Sequence, residues 1–290
     1  MIPAEFEYLV PSSVEEAVSM LADHGEEAKL LAGGHSLIPI MKFRLARPRY
    51  LIDIGRLPDL SYIREADGVV AVGALTTHHQ LESSDLLKSK LPLLPETASV
   101  IADVQVRNRG TIGGSLVHGD PAADLPATAL TLEAEFRVIG PSGVRSIKVD
   151  EFFLGLFETA VGADEILTEV RFPVAGPRTG GAYLKVPNKA SHYAIVGVSA
   201  VVAVDQDLTC QQARIGLTGL AFKPKRANGM EEALIGKRLD ERTISEAAEG
   251  VAAGVEAVDD IHASGEYRIH LSRVSARRAV NLASTRAQAA

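Results

Sequence analysis

The stretch Leu30-Leu-Ala-Gly-Gly-His-Ser-Leu-Ile-Pro-Ile40 runs from apolar residues into two adjacent glycines, then a histidine, a serine and a second apolar run. Ala28 to Ala32 reads as a buried strand, Gly33-Gly34 as a tight turn, and Ser36 to Leu45 as a short helix that tolerates Pro39 in its first turn. Upstream, Ser12 or Ser13 can cap a helix, with Glu15 or Glu16 three residues on completing a capping box. Val14, Ala17, Val18, Leu21 and Ala22 keep one apolar face at helical spacing, and Gly25 closes the helix. Tyr50 to Ile54 is the next strand. The unit is β-α-β, with the glycine pair at a strand-to-helix turn. Removing two side chains there lets a ligand reach the amide N–H groups, and glycine permits the positive φ angles that aim successive N–H groups at one anion. Where such a turn opens a helix, the N-terminal dipole adds about 0.3–1 kcal/mol of attraction for a phosphate.

A second pair, Gly113-Gly114, stands in the same setting, with apolar Ile112 before it and the small hydroxyl of Ser115 after it. Either pair alone is better explained by turn conformation than by a ligand. Two pairs with matching hydroxyls, one in each half of the N-terminal region, point to two loops gripping one diphosphate. The chain has no G-x-G-x-x-G after a strand and no G-x-x-x-x-G-K-[ST], so a Rossmann NAD site and a P-loop lose their main warrant.

At 290 residues, 46% of them hydrophobic, the chain is long enough for about two domains. A net charge of −7, a pI near 5.7 and the lack of a block of Lys and Arg argue against an electrostatic footprint for nucleic acid or an anionic membrane and leave small molecules and proteins as partners. The start, MIPAEFEYLV, carries acidic residues where a secretory signal is basic, and no stretch approaches the roughly 18 apolar residues of a membrane span. A cytoplasmic location is expected. The single cysteine, Cys210, allows no internal disulfide, no self-contained iron–sulfur cluster and no Cys-rich zinc site, and no motif around it marks a nucleophile. The histidines, including His78-His79 and His118, lack metal-ligand spacing, so a solvated or hydrogen-bonded role is expected of them.

From about Leu57, strands are expected at Ser61 to Arg64 and Val69 to Ala74, and helical stretches around Thr77 to Leu81 and Pro95 to Asp103. A helix ending near Leu132 follows the second glycine pair. Phe136 to Ile139 and Val144 to Val149 form a hairpin around Gly140-Pro-Ser-Gly143. Pro173, Gly176, Pro177, Gly180 and Gly181 crowd a short span and mark a boundary, giving domains 1–175 (subdomains about 1–56 and 57–175) and 176–290. Beyond it, strands at Ala182 to Val186, Ile195 to Val204 and Ala213 to Leu217, with helices near Met230 to Leu234, Ile244 to Val258 and Tyr267 to Ala283, read as α+β: a three-stranded antiparallel sheet backed by helices.

Ala32-Gly-Gly-His-Ser36 followed by Leu-Ile-Pro, with Thr111-Ile-Gly-Gly-Ser115 and Asp120-Pro-Ala-Ala-Asp124, closely resembles the FAD-binding medium subunit of molybdenum hydroxylases, the carbon monoxide dehydrogenase and xanthine dehydrogenase family. The match extends over nearly the whole chain, through Val106-Arg-Asn-Arg-Gly110, Glu165-Ile-Leu-Thr-Glu-Val-Arg-Phe-Pro173, Glu266-Tyr-Arg268 and Arg277-Arg-Ala279. It implies a PCMH-type FAD-binding domain of two α/β subdomains ahead of the C-terminal domain. By resemblance, Ala32, Gly33, Gly34, His35, Ser36 and Leu37 and Thr111, Ile112, Gly113, Gly114 and Ser115 cradle the FAD pyrophosphate. Asp120 and Asp124 join the cofactor contacts, where a carboxylate suits a ribose or ribityl hydroxyl better than a phosphate; an N-cap role is the alternative for Asp124. Lys185 matches a lysine near the flavin ring, where a fixed cation stabilises charge developing on reduction, against the alternative of a solvated edge-strand lysine. Tyr193 matches a tyrosine laid against the isoalloxazine, against the alternative of a core tyrosine, and Leu167 touches the ring. His192 and Ser115 stand where related subunits often carry aspartate and asparagine, and neither change removes a backbone N–H.

Gly-Gly-His-Ser also occurs in flavin oxidases of the wider vanillyl-alcohol-oxidase-like superfamily, where the histidine can bond covalently to the flavin; the rest of the match favours non-covalent FAD. The chain lacks cysteines for iron–sulfur clusters and shows no molybdopterin signature. The resemblance therefore implies an oxidoreductase subunit that relays electrons. A large partner would carry the molybdopterin cofactor and a small partner two [2Fe–2S] clusters, in an (αβγ)₂ heterohexamer. FAD in this chain would pass the electrons to an external acceptor, and peripheral contact with a membrane-held acceptor is compatible with that scheme. The rival readings are a self-sufficient FAD oxidoreductase and a flavin-free scaffold.

Overall fold

The computed structural model describes residues 1–289, which build three principal sheets, each with its own apolar core, and a small two-stranded ribbon, Phe153–Gly155 with Glu158–Thr159. The first sheet holds Glu7–Leu9, Tyr50–Asp53 and Ala28–Leu31 in that order, both pairings parallel. The helix Val14–His24 buries Ala17, Val18 and Leu21. Ser13 caps it by accepting the Glu16 amide N–H at 3.1 Å. The reciprocal half of the capping box is displaced by one residue, because the Glu16 carboxylate accepts from the Ser12 amide and hydroxyl, both at 2.6 Å. The strand Ala28–Leu31 is less buried than its sequence predicts, since it is the edge of its sheet and Ala28, Lys29 and Leu30 line a cavity. The helix after the glycine pair, Leu37–Lys42, is shorter than the expected Ser36 to Leu45, because the chain turns left-handed at Arg44 (φ 60°).

The second sheet is five-stranded and antiparallel, in the order Ile63–Ala66, Val69–Gly73, Ile166–Pro173, Glu135–Gly140, Gly143–Lys148. The expected hairpin forms its far edge. Its central strand, Ile166–Pro173, is the last of the five in sequence. Leu81, Leu87, Leu94, Leu116 and Leu125, from the helices His78–Ser83, Asp85–Lys90, Leu93–Ser99, Ile112–His118 and Asp124–Thr131, share this sheet's core with Phe136 and Phe152, whose rings stack 3.7 Å apart.

The C-terminal sheet has four antiparallel strands rather than the expected three: Thr179–Pro187, Ala194–Val204, Cys210–Thr218 and Lys225–Arg226. The fourth pairs only Arg226 with Gly216 and Lys225 with Leu217, too short to show any alternation. The expected helix Ile244 to Val258 is confined to Glu241–Ala248, since Gly250 and the left-handed Gly254 (φ 70°) end it. The last helix, Gly265–Ala289, lies on the first two strands through small side chains at helical spacing: Ala276, Ala279, Val280, Ala283 and Ala287. No helix among the described residues is long and apolar enough to cross a membrane.

The C-terminal sheet also grips the segment that leads into Asp124. Thr218 Oγ1 donates to the carbonyls of Pro121 (2.6 Å) and Ala123 (2.7 Å). The amides of Gly219 and Ala194 donate to the carbonyls of Pro121 (2.6 Å) and Ala122 (3.1 Å). These bonds fix one wall of the site.

Candidate functional site

Gly33 and Gly113 pack against the protein's own backbone. A Cβ on Gly33 would collide with the Arg109 carbonyl and lie 2.8 Å from Gly110 Cα; one on Gly113 would lie 2.6 Å from Ala74 Cβ and 2.7 Å from its carbonyl oxygen. Glycine is thus needed at those positions to close one loop onto the other and to seat the second loop on the five-stranded sheet. Gly34 is needed for its positive φ of 75°. Gly114 stands in freer space: an added Cβ would meet Thr111 Oγ1 at 2.9 Å and otherwise only Ala32 Cβ at 4.0 Å.

The two loops face a cavity of about 740 Å³, a size within the range of cofactor clefts. Of the residues expected at the site, Ala32, Gly33, Gly34, His35, Ser36, Leu37, Thr111, Gly113, Gly114, Ser115, Asp120, Asp124, Leu167 and Tyr193 line it. Ile112 and Lys185 do not: Ile112 is fully buried in the core of the five-stranded sheet, and Lys185 stands behind Asp124.

The loops differ in what they offer. Among the described residues, the backbone N–H groups of Gly33, Gly34, His35 and Ser36 have no protein acceptor. In the second loop the amides are already engaged: Ile112 to the Thr76 carbonyl (3.0 Å), Gly113 to the Ala74 carbonyl (2.9 Å), Gly114 to Thr111 Oγ1 (3.1 Å) and Ser115 to the Thr111 carbonyl (3.0 Å). The symmetric grip read from the sequence is therefore lopsided, with the free donors concentrated in the first loop. Consecutive unpaired amides at the wall of a cavity of this size fit the phosphates of a dinucleotide. His35 is exposed there, its Nδ1 3.1 Å from the Gly33 carbonyl oxygen.

Asp124 is the first residue of its helix and not the N-cap, a position held by Ala123. Its carboxylate turns instead to the C-terminal domain, accepting from Tyr183 Oη at 2.6 Å and Lys185 Nζ at 2.7 Å. Lys185 Nζ also donates to the Val100 carbonyl at 3.0 Å. The side chains of both ion-pair partners are 5% exposed. Burial raises the Asp124 carboxyl, opposed by the Lys185 ammonium and by both hydrogen bonds. Lys185 therefore neutralises a carboxylate in the cavity wall and presents no free cation to the cavity. Tyr183, with no sequence signal beyond a strand position, completes the group.

Asp120 accepts the Ala122 amide at 2.8 Å, and burial raises its carboxyl. Tyr193 reaches across from the loop before Ala194–Val204 to Asp120 and Ser36; burial and the Asp120 charge raise its phenol, which keeps it protonated and able to donate. Burial lowers His118. His78 departs from the expected satisfied histidine: it is 4% exposed, lines the cavity, and its Nδ1 has no partner among the described residues. Burial and the nearby charges of Arg107 and His35 bring its imidazole down to about 4. Neither His78 nor Tyr183 could be found by a local pattern, since each gains its place from strands and loops distant in sequence. Cys210 is buried and its thiol is pushed up to about 11, which leaves it unreactive. No group of three or more His, Cys, Asp or Glu among the described residues could hold a metal ion.

Known proteins share this architecture. The model of the FAD binding domain in molybdopterin dehydrogenase matches residues 4–175, and that of the CO dehydrogenase flavoprotein C-terminal domain matches residues 181–283. The carbon monoxide dehydrogenase medium chain of Hydrogenophaga pseudoflava is 43% identical over 283 residues, covering 98% of each chain. The 6-hydroxypseudooxynicotine dehydrogenase complex subunit alpha of Paenarthrobacter nicotinovorans is 38% identical over 288 residues, 99% of this chain and 97% of that one. A solved structure of the Hydrogenophaga pseudoflava carbon monoxide dehydrogenase, lacking the Mo-pyranopterin moiety of its molybdenum cofactor, superposes with a TM-score of 0.96 over 99% of each chain. Cavity, free amides, full-length identity and fold agree: the chain belongs to the FAD-binding subunits of the molybdopterin-dependent dehydrogenases, the molybdenum hydroxylase family.

Proposed function

We propose that this chain is the electron-transfer subunit of a heteromeric molybdenum hydroxylase, taking electrons from [2Fe–2S] clusters of a small partner through FAD to an external acceptor, while a large partner holds the molybdopterin cofactor and does the substrate chemistry. The observation that carries the reading is the run of unpaired amides from Gly33 to Ser36 at the wall of a cavity of about 740 Å³. Residues 1–175, in subdomains of about 1–56 and 57–175, serve as the FAD domain, and 176–290 as the domain that locks its inner wall. When bound, FAD supplies a carrier that accepts electrons and hands them on.

This chain's residues do the rest. The first loop and the Ser36 hydroxyl hold the pyrophosphate, with Thr111, Gly114 and Ser115 closing on it from the other side. Asp120 accepts from cofactor hydroxyls, Leu167 keeps water from the ring, and Tyr193 donates from its protonated phenol. The Asp124–Lys185 pair makes the inner wall electrically neutral, and Tyr183 orients its carboxylate. Kinship with a medium chain supports an (αβγ)₂ assembly. Substrate choice lies elsewhere, because relatives that match over almost the full length are named for carbon monoxide and for 6-hydroxypseudooxynicotine, which share no recognisable chemistry.

The test uses the chain purified natively from its own cells and precipitated with acid. FAD in the supernatant, a large and a small partner on the gel, and flavin bleaching by substrate only when the iron–sulfur partner is present are expected. Flavin confined to the pellet would make His35 a covalent anchor and favour a self-sufficient oxidase. Absence of flavin from both fractions would overturn the assignment in favour of a scaffold.

A further inference from the structure

The sequence has no uninterrupted basic run, yet Lys42, Arg44, Arg47 and Arg49 fall between positions 42 and 49 of a chain with a net charge of −7, interleaved with Phe43 and Leu45. Arg49 pairs with Glu27 at 3.2 Å, whereas Lys42, Arg44 and Arg47 make no ion pair among the described residues. Phe43 is 63% exposed, Leu45 81% and Ile2 79%. Arg47 Nε donates to the Arg44 carbonyl at 3.1 Å and Arg44 Nε to the Ile2 carbonyl at 3.5 Å, so the cluster is one patch.

The backbone beneath it is strained. Arg44 sits at φ 60° in the turn that closes Leu37–Lys42, with its N–H donating to the Met41 carbonyl (2.9 Å) and the Leu45 N–H to the Ile40 carbonyl (3.0 Å). This is a Schellman ending, which ordinarily puts glycine at the left-handed position and buries the next apolar residue against the helix. Here an arginine holds the unfavourable position and Leu45 stands in solvent, a combination that the helix end does not need and that strain at a functional surface explains. The helix it closes opens at the first glycine loop.

We infer that Lys42, Arg44 and Arg47, with Phe43, Leu45 and Ile2, form the docking surface for an acidic face, bearing an apolar notch, on a partner polypeptide of the dehydrogenase complex. The inference rests on the multisubunit reading above. Charge complementarity decides the occupant: three free cations on an otherwise acidic chain fit a negatively charged protein surface, and they fall short of the cluster of about 4–8 that a membrane surface selects.

The complex is purified from its own cells through a tag on this chain, as wild type, Arg44→Glu/Arg47→Glu and Phe43→Ser/Leu45→Ser. Partner subunits per tagged chain are measured at low and high salt, with melting temperature and flavin content read on the same samples. The wild type retains both partners and loses them with rising salt. Either double variant keeps its melting temperature and loses about ten-fold or more of one partner. A full complement of partners on both folded variants would overturn the docking surface alone. Binding of wild type, but not Arg44→Glu/Arg47→Glu, to phosphatidylglycerol vesicles, with partners intact in both, would overturn it in favour of a lipid surface. A wild-type chain that co-purifies with no partner would remove the multisubunit reading and the docking surface together.

Discussion

The His78 imidazole titrates near 6.5 in an unfolded chain and is held down to about 4 in the fold. Between those values the unfolded state binds a proton that the native state does not. Its stability contribution is therefore fully present above pH 6.5 and is lost as the pH falls through the window, by up to about 3 kcal/mol. Urea unfolding at a series of pH values should show that loss, and His78→Gln should flatten it; an unchanged slope in the variant would place the acid sensitivity elsewhere. Asp124 and Lys185 set a larger stake. Removing the carboxylate leaves an ammonium buried without a counter-ion, held only by the Val100 carbonyl, so Asp124→Ala should cost about 3–5 kcal/mol in the same measurement, and Asp124→Leu/Lys185→Met should regain most of it. At this scale the family resemblance puts Lys185 beside the flavin and Asp124 among the cofactor contacts, whereas the lysine's charge goes to Asp124, because the ion pair joins a helix to a strand of another sheet. Side-chain partners across that distance leave no periodicity to read.

The glycine pairs are legible as turns at the level of elements, yet the four glycines do different things. Gly113→Ala must push into Ala74, just past the strand Val69–Gly73, where one side-chain carbon and two backbone atoms lie within 3.0 Å. It should lower the melting temperature. Gly114→Ala meets only the Thr111 hydroxyl, so the fold should survive while the loop's hold on flavin weakens. Melting curves paired with flavin-to-protein absorbance ratios separate the two; equal loss of stability in both would refute the division of labour. Elements with strong local signals, such as the hairpin around Gly140 to Gly143 and the long C-terminal helix, were readable because turn residues and apolar spacing act within one segment. The central strand Ile166–Pro173 carries a motif legible in the sequence, but its place in the middle of a sheet is not legible there, since its neighbours lie about a hundred residues upstream and about thirty upstream, the latter bonded through a register shift after Leu167. The fourth C-terminal strand, Lys225–Arg226, is two residues long and exists only because Gly216 and Leu217 offer it an edge.

For the molecule as a whole, the question is whether the FAD domain and the C-terminal domain unfold as one. Glu96 ties them twice, accepting the Tyr183 amide at 2.9 Å and Arg286 Nη1 at 2.6 Å. A buried chain of hydroxyls leads to the same seam, with Thr97 Oγ1 2.8 Å from Thr128 Oγ1 inside the FAD domain and Thr131 Oγ1 2.7 Å from Ser199 Oγ across the seam. Below them the Gly216 Cα lies so close to the Ala127 carbonyl that no Cβ fits, and the Asp124–Lys185–Tyr183 group closes the set. Ser199, Tyr183, Asp124 and Lys185 are buried and find their side-chain partners only across the seam, so separating the domains would orphan them at about 1–3 kcal/mol each, more than the surface contacts of a loose interface return. Heating the chain should therefore give one cooperative transition in both the flavin-free and the flavin-bound forms. FAD at a hundred times its dissociation constant should stabilise the whole molecule by about 2.7 kcal/mol, moving that single midpoint upward. Calorimetry showing two transitions, only the first of them shifted by FAD, would mean that the C-terminal domain does not support the cofactor wall and that the seam's hydrogen bonds form independently of the site they enclose.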